Sequence, residues 1–312
     1  MASVLERKLL VITGKGGVGR TTVAAAIGLL AASRGLRTIV VEVGAQGRLP
    51  GLFALAPPDP GVEAKLDEHL WTISIDPDRA LLEWLQTLGG RISGRMLAAS
   101  GTFQYFAAAA PGAKELVSMV KIWELTQGER WRRRAGSYDL VVLDAPATGH
   151  ALGMLRSPHT FGAIARVGPI AAQAERVREL LEDPAQSSYV AVAAATEMAV
   201  AETLELHGEL VSQLHREIDA VLVNGVLPLR FSASELARLE QLGESGSATT
   251  PPAVQAATLA ARSVHNRARF QRNQLARLRR RELTVLTIPF LFTAELDLAA
   301  VRKIAALLSR KL

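Results

Sequence analysis

The segment Leu9–Thr22, with the sequence LLVITGKGGVGRTT, decides the fold of this chain. Its first residues form an apolar run typical of a buried strand, and the glycine-rich turn after them leads into an alanine- and leucine-rich helix. The segment matches the pattern G-x-x-x-x-G-K-[ST], except that Arg20 replaces the lysine. Glycines let successive backbone N–H groups converge on phosphate oxygens, and the helix N-terminus adds positive charge. The segment therefore predicts a phosphate-binding loop at the start of a parallel α/β domain.

Composition limits what the rest of the chain can do. The 312 residues are 49% hydrophobic, which is enough for one large α/β domain with a full core. Cysteine is absent, so disulfides and thiolate metal sites are excluded. Because no run of about 18 apolar residues occurs and the first residues lack an apolar signal core, we expect no transmembrane segment and a cytoplasmic location. The net charge of +6 is spread along the chain, so we expect no nucleic-acid partner.

Apolar strands alternate with helical segments along the whole chain. Further strands are predicted at Arg37–Val43, Leu70–Ile75, Tyr138–Leu143, Tyr189–Ala195, Ile218–Val223 and Thr284–Ile288. Continuous apolar strands separated by helices are typical of a parallel sheet covered on both faces. The glycines and prolines of Gly44–Gly61 predict a loop, and the polar break Gly243–Pro252 predicts another. We therefore predict a single α/β domain over residues 1–312, with a mostly parallel sheet flanked by helices.

Two helical segments interrupt this alternation, at about 89–134 and 157–182. They are predicted to be insertions that form a helical subdomain. The first carries methionines and aromatic residues such as Met96, Phe103 and Trp123. Flexible and aromatic side chains of this kind suit an adaptable apolar groove for a protein client, although such residues more often form an ordinary core.

A second motif, DAPATGH at Asp144–His150, follows the apolar strand that ends at Leu143. A phosphate loop works with magnesium, and in this class of fold a carboxylate at the end of a neighbouring strand helps to hold the ion. Asp144 would hold a magnesium-bound water while the hydroxyl of Thr21 ligates the metal. The alternative is that Asp144 is a solvated strand end. His150 is interpreted as a structural residue of the motif.

Together the two motifs resemble the ArsA family of P-loop ATPases. That family contains the arsenite-pump ATPase and the ATPase that targets tail-anchored membrane proteins, and it belongs to a wider class shared with MinD and ParA. Gly14–Gly19, with its extra lysine at Lys15, resembles the family's deviant phosphate loop, and Asp144–His150 resembles its second switch. The resemblance extends over nearly the whole chain through Leu70–Asp76, Thr196–Met198, Asn224 and Ile288–Phe290.

The resemblance implies ATP and Mg²⁺ as cofactors and assigns a role to each motif residue. Lys15 would reach across a dimer interface to the nucleotide of the partner, and Asp144–His150 would sense the γ-phosphate. Asn224 would hydrogen-bond adenine, with Pro289 and Phe290 nearby, although Asn224 followed by glycine is equally compatible with a simple turn. The nucleotide's phosphates would be held by Gly14, Lys15, Gly16, Gly17, Val18, Gly19, Arg20, Thr21 and Thr22, and magnesium by Thr21 and Asp144.

The chain departs from the family pattern in three ways, of which the first two bear on hydrolysis. Arg20 keeps the positive charge of the loop lysine but is wider and planar. Gly44 stands where the family's first switch has an acidic residue. The catalytic candidates are therefore Lys15 and Glu42, and Gln46 is a further candidate to position water. Glu42 either helps to hold magnesium or is a plain strand-end acid. Without cysteine, the zinc clamp of the targeting ATPases and the thiolate arsenite site of the pump cannot form.

The resemblance thus implies an ATP-binding and ATP-hydrolysing dimeric switch that couples nucleotide state to the binding of a protein client or partner. The dimer is either a homodimer or a heterodimer with an ArsA-like paralogue. Because of Arg20 and Gly44, a second hypothesis is a nucleotide-binding regulatory subunit with impaired hydrolysis, working beside a more typical paralogue. A third is a ParA- or MinD-like positioning ATPase, for which no C-terminal amphipathic membrane helix is evident in the sequence.

Overall fold

The structure is a computed structural model that describes residues 4–44, 47–87, 112–131, 136–164, 168–244 and 251–312. An eight-stranded sheet forms its centre. In chain order the strands are β1 (Leu9–Thr13), β2 (Thr38–Val43), β3 (Ala64–Asp67), β4 (Leu70–Ile75), β5 (Leu140–Asp144), β6 (Ser187–Ala194), β7 (Ala220–Val226) and β8 (Val285–Pro289). Across the sheet the order is β3-β4-β2-β5-β1-β6-β7-β8. Neighbouring strands run parallel except β3, which is antiparallel to β4, so the predicted mostly parallel α/β sheet is confirmed.

Helices cover both faces of this sheet. They are α1 (Arg20–Ser33), α2 (Arg48–Leu52), α3 (residues 77–87), α4 (Ala113–Thr126), α5 (Thr148–Ile164), α6 (Pro169–Glu182), α7 (Glu197–Leu214), α8 (Ala233–Glu244), α9 (Pro252–Arg279) and α10 (Leu298–Leu308). Because successive side chains of a strand point to opposite faces, β1 contributes to two cores. Leu9 and Val11 pack with α4, α5, α6 and α7, whereas Leu10 and Ile12 pack with α1 and α10.

The region between β2 and β4 differs from the prediction. Gly44–Gly61 was predicted to be a loop, but it contains α2, and the antiparallel edge strand β3 follows it. The carboxylate of Glu42 accepts the N–H groups of Arg48 (3.0 Å) and Leu49 (3.3 Å) at the start of α2. The helix is therefore held by a side chain from the preceding strand, a contact that the local composition does not indicate.

A buried ion network connects α4 with the edge of the sheet. The fully buried Arg130 side chain pairs through Nε with Glu124 Oε1 at 2.7 Å and through Nη2 with Glu63 Oε1 at 2.6 Å. Lys121 Nζ lies 3.0 Å from Glu124 Oε2 and 2.8 Å from Glu83 Oε2. Since α4 carries two of these charges, the network fixes it against the segments that precede β3 and β5.

The two predicted helical insertions are covered in part. Residues 89–111 and 132–135 of the first, with Met96 and Phe103, lie outside the described residues. Its described part includes α4, which packs against α5 and α6, the helices that span most of the second insertion. The boundaries of this subdomain stay a prediction. Within the described ranges, the helices are too short or too polar for any of them to span a membrane.

Candidate functional site

The glycine-rich loop lies at the carboxyl end of β1, between β5 and β6. In open parallel sheets this edge is where ligands bind. The strand register brings the predicted polar residues to the same edge. Ile12 lies opposite Asp144, Glu42 also lies opposite Asp144, and Asn224 lies opposite Ala194. Residues far apart in the sequence thus gather around the loop.

Two glycines shape the loop. Gly14 has φ 147°, and a Cβ atom there would overlap the carbonyl oxygen of Val192 in β6. Gly19 has φ 91°, and a Cβ atom there would overlap Nδ2 of Asn224 in β7. Both positions therefore require glycine. A Cβ atom at Gly16 would meet nothing within 4 Å, so this part of the loop backbone is open to a ligand.

The predicted magnesium residues are in contact. Thr21 Oγ1 donates a hydrogen bond to Asp144 Oδ2 at 2.6 Å. The other carboxylate oxygen of Asp144 is buried and has no hydrogen-bond partner among the described residues. Burial raises the pKa of Asp144, against the opposing effects of the Thr21 hydrogen bond and the charges of Arg20 and Arg48. A partly buried carboxylate with an unused oxygen beside a hydroxyl is a pair of hard oxygen donors, and the residues present fit Mg²⁺.

Arg20, at the position of the loop lysine, bridges the two sequence motifs. Its guanidinium donates a hydrogen bond to the carbonyl oxygen of Ala145, the residue after Asp144. Burial lowers the pKa of Arg20, an effect that the negative charge of Asp144 opposes. The cation of the loop therefore rests against the backbone of the second motif in this conformation.

Glu42 lies at the end of β2 and is almost fully buried, at 7% exposure. Both of its carboxylate oxygens accept backbone N–H groups of α2, as described above. Burial raises the pKa of Glu42, and the nearby charge of Asp144 raises it further. The carboxylate thus anchors α2 in this conformation, and its catalytic role stays a prediction. Gln46 lies outside the described residues.

Lys15 points away from the centre of the loop toward α7. Its Nζ forms an ion pair with the carboxylate of Glu202, and the two side chains are 32% and 34% exposed. The pair lies in a groove of about 450 Å³. The groove is also lined by Gly16, Thr148, Gly149, Leu152, Glu205 and Glu209.

The residues predicted to surround adenine come from the two strands at the far edge of the sheet. Asn224 Nδ2 donates a hydrogen bond to Val18 O at 2.9 Å, so its amide is bonded to the phosphate loop. Pro289 ends β8 and Phe290 follows it, and Phe290 N donates to Val226 O at 2.9 Å. The half-exposed ring of Phe290 meets that of Phe292 edge to face, with centroids 4.9 Å apart. A pocket for a nucleobase beside Asn224 remains a prediction.

Sequence reasoning missed Glu202 and Val192 as parts of the site. Glu202 lies within α7, 187 residues after Lys15, and nothing in its neighbourhood marks it. The packing of Gly14 against Val192 depends on β6 lying next to β1. Both contacts are tertiary, so only the strand order could have indicated them.

Comparison with known proteins is consistent with this site. The model of the family described as "Anion-transporting ATPase" matches residues 7–168 and 162–241 of the chain. The protein named "ATPase BagA" from Mycobacterium tuberculosis is 33% identical over 239 residues, covering 74% of this chain and 68% of its own length. The protein named "ATPase GET3C" from Arabidopsis thaliana is 25% identical over 279 residues, covering 73% of this chain and 69% of its own length.

Proposed function

Because the chain belongs to the ArsA family of anion-transporting ATPases, we propose that it binds ATP with Mg²⁺, hydrolyses it, and uses the nucleotide state to switch a dimer. The observation that carries this proposal is the contact between Thr21 and Asp144 beside an open glycine-rich loop. Partly buried oxygen donors next to converging backbone N–H groups suit a triphosphate with its magnesium ion.

Each residue of the site would have its own role in binding the nucleotide and the metal ion. When bound, magnesium would supply positive charge that offsets part of the negative charge of the phosphates. The hydroxyl of Thr21 would hold the ion directly, and the carboxylate of Asp144 would hold it through water. The loop N–H groups and the guanidinium of Arg20 would hold the phosphates. Glu42 would keep α2 in place beside them.

The position of Lys15 supports the proposal that the protein dimerises. The residue follows the first loop glycine, and its side chain is one-third exposed, which allows it to reach the phosphates of a second subunit. Closure of the dimer around nucleotide would then move the second motif, whose last residues form the start of α5. Helices α4 and α6, which pack against α5, would move with it. These helices would present the surface for a protein client or partner, in a homodimer or in a heterodimer with a paralogue.

One observation favours a second candidate, a regulatory subunit with impaired hydrolysis. Arg20 is engaged with Ala145 O, and both oxygens of Glu42 are engaged with α2. Hydrolysis by P-loop ATPases depends on how charge and water are positioned around the γ-phosphate. A site that binds ATP but positions water poorly would require a paralogue for turnover.

Steady-state hydrolysis of Mg-ATP by the purified protein, measured beside a nucleotide-binding titration, tests the proposal. Thr21→Ala is the control because it removes a predicted metal ligand. Turnover in the wild type that the control abolishes would establish an ATPase that works alone. Binding without turnover would replace this conclusion with the regulatory subunit, and failure to bind ATP would overturn both.

A further inference from the structure

The ion pair between Lys15 and Glu202 connects the phosphate loop with α7 of the same chain. Lys15 is the residue that the proposed function sends into a partner's active site. In this structure its ammonium group instead forms an ion pair with the carboxylate of Glu202 in its own subunit. One ammonium group on one side chain cannot be at both places, so the two positions compete.

The contact is selective within an acidic row. Glu202, Glu205 and Glu209 line the same groove, and their spacing of three and four residues places them on one face of α7. Among the described residues, Lys15 forms its ion pair with Glu202, the first of the three. Gly16 of the loop and Gly149 of the second motif border the same groove. The ammonium group therefore lies between the loop, the second motif and α7.

We propose that Glu202 is a positioning residue for Lys15: it holds the ammonium group on its own subunit and must release it before Lys15 can engage a nucleotide bound by a second copy. This inference rests on the proposed function. Since both side chains are about one-third exposed, the pair is only partly shielded from water. Such pairs change an equilibrium by about fivefold at most. Glu202 thus raises the protein concentration that ATP-dependent association requires, but it does not prevent association.

The first measurement asks whether the pair restrains Lys15 in solution. The full-length protein without nucleotide is treated briefly with an amine-acylating reagent, and modification of Lys15 is followed by peptide mass spectrometry. Glu202→Gln is expected to increase the acylation rate of Lys15 about two- to fivefold. Glu205→Gln removes the same charge from the same groove and is expected to leave the rate within about 1.5-fold of the wild type. An unchanged rate in Glu202→Gln would overturn the inference.

The second measurement follows association by analytical ultracentrifugation in the presence of Mg²⁺ and a slowly hydrolysed ATP analogue. Glu202→Gln is expected to lower the protein concentration for half-maximal association about two- to fivefold, and Glu205→Gln to leave it near the wild-type value. The difference should shrink at about 0.5 M salt, where partly exposed charges are screened. If the wild type associates and Glu202→Gln associates identically, the inference is wrong and the proposed dimer stands. If the wild type does not associate at all, the proposed dimer and the inference both fail.

Discussion

Glu42 and Asp144 lie directly opposite each other on neighbouring parallel strands, at the carboxyl ends of β2 and β5. Burial raises the pKa of both side chains. Two carboxylates are therefore held close together in a place where their ionised forms are poorly solvated. A divalent cation at this edge would offset part of that cost, as the proposed magnesium site requires.

The substitution Asp144→Asn is expected to raise the melting temperature of the metal-free protein by about 1–4 °C. A raised pKa means that Asp144 favours folding below its ordinary value of 3.8 and that this contribution is lost as the pH rises through the folded-state pKa. At pH 7 the ionised carboxylate is thus a cost that asparagine removes. The same variant should lose the thermal stabilisation that Mg-ATP gives the wild type. Differential scanning fluorimetry measures both effects.

Asp59→Asn is the matched control for this prediction. Asp59 is exposed, and its substitution removes the same negative charge as Asp144→Asn. It should leave both the melting temperature and its response to Mg-ATP close to the wild type. A lower melting temperature of Asp144→Asn combined with an intact Mg-ATP response would show that Asp144 is a structural residue instead of a metal-site residue.

The parts of this fold that sequence predicts are those with local causes. The apolar run before Gly14 and the run before Asp144 each specify a buried strand, and the loop glycines specify the turn. The parts that it does not predict depend on residues from elsewhere in the chain. Helix α2 depends on Glu42, whose carboxylate binds its first N–H groups. The side-chain partner of Lys15 depends on where α7 packs, and no pattern around Glu202 encodes this.

Gly14→Ala is expected to destabilise the protein by about 2–4 kcal/mol. The new methyl group would overlap Val192 O, and φ 147° is a conformation that residues with a Cβ atom rarely adopt. Gly16→Ala, two residues later, adds the same methyl group where nothing lies within 4 Å and should cost less than about 1 kcal/mol. Urea denaturation of the nucleotide-free variants separates the two. Equal stability of the two variants would contradict the tight packing of the loop on β6.

Asn224→Ala tests whether this residue contacts the base or only supports the loop. The hydrogen bond from Asn224 to Val18 O would be lost, at a cost of about 1 kcal/mol in stability. If Asn224 also binds adenine, ATP affinity should fall roughly five- to tenfold while affinity for inorganic tripolyphosphate changes less than about twofold. Isothermal titration calorimetry gives both affinities. Equal losses for the two ligands would mean that Asn224 acts through the loop alone.

Arg20→Lys is expected to raise kcat for ATP hydrolysis roughly three- to tenfold and to change ATP affinity little. Lysine is a compact charge on a flexible stem, so it can follow the phosphates more closely than a guanidinium that rests on Ala145 O. Steady-state kinetics and a parallel binding titration measure the two quantities, and Arg310→Lys, at an exposed position after α10, is the control. A fall in kcat would show that the site is adapted to arginine.

The buried network around Arg130 predicts a change of stability that depends on pH. Arg130→Met should cost about 3–5 kcal/mol at pH 7.5, because the partly buried Glu63 would lose its cation and the buried Glu124 would keep Lys121 but lose Arg130. Burial alone would raise the pKa of Glu63, but hydrogen bonds from Arg130 and Tyr138 hold it below its ordinary value of 4.5. In the wild type this contribution to stability is therefore present above pH 4.5 and is lost as the pH falls through the lowered pKa. In the variant the pKa of Glu63 should rise because the hydrogen bond from Arg130 is gone, so the difference between variant and wild type should shrink from pH 7.5 to pH 5. Urea denaturation at the two pH values measures this difference in stability.

Arg178→Met is the control, because the ion pairs of Arg178 are more exposed. It is expected to cost at most about 1 kcal/mol at either pH. A cost for Arg130→Met that does not depend on pH would show that lost packing, and not unpaired charge, is the cause.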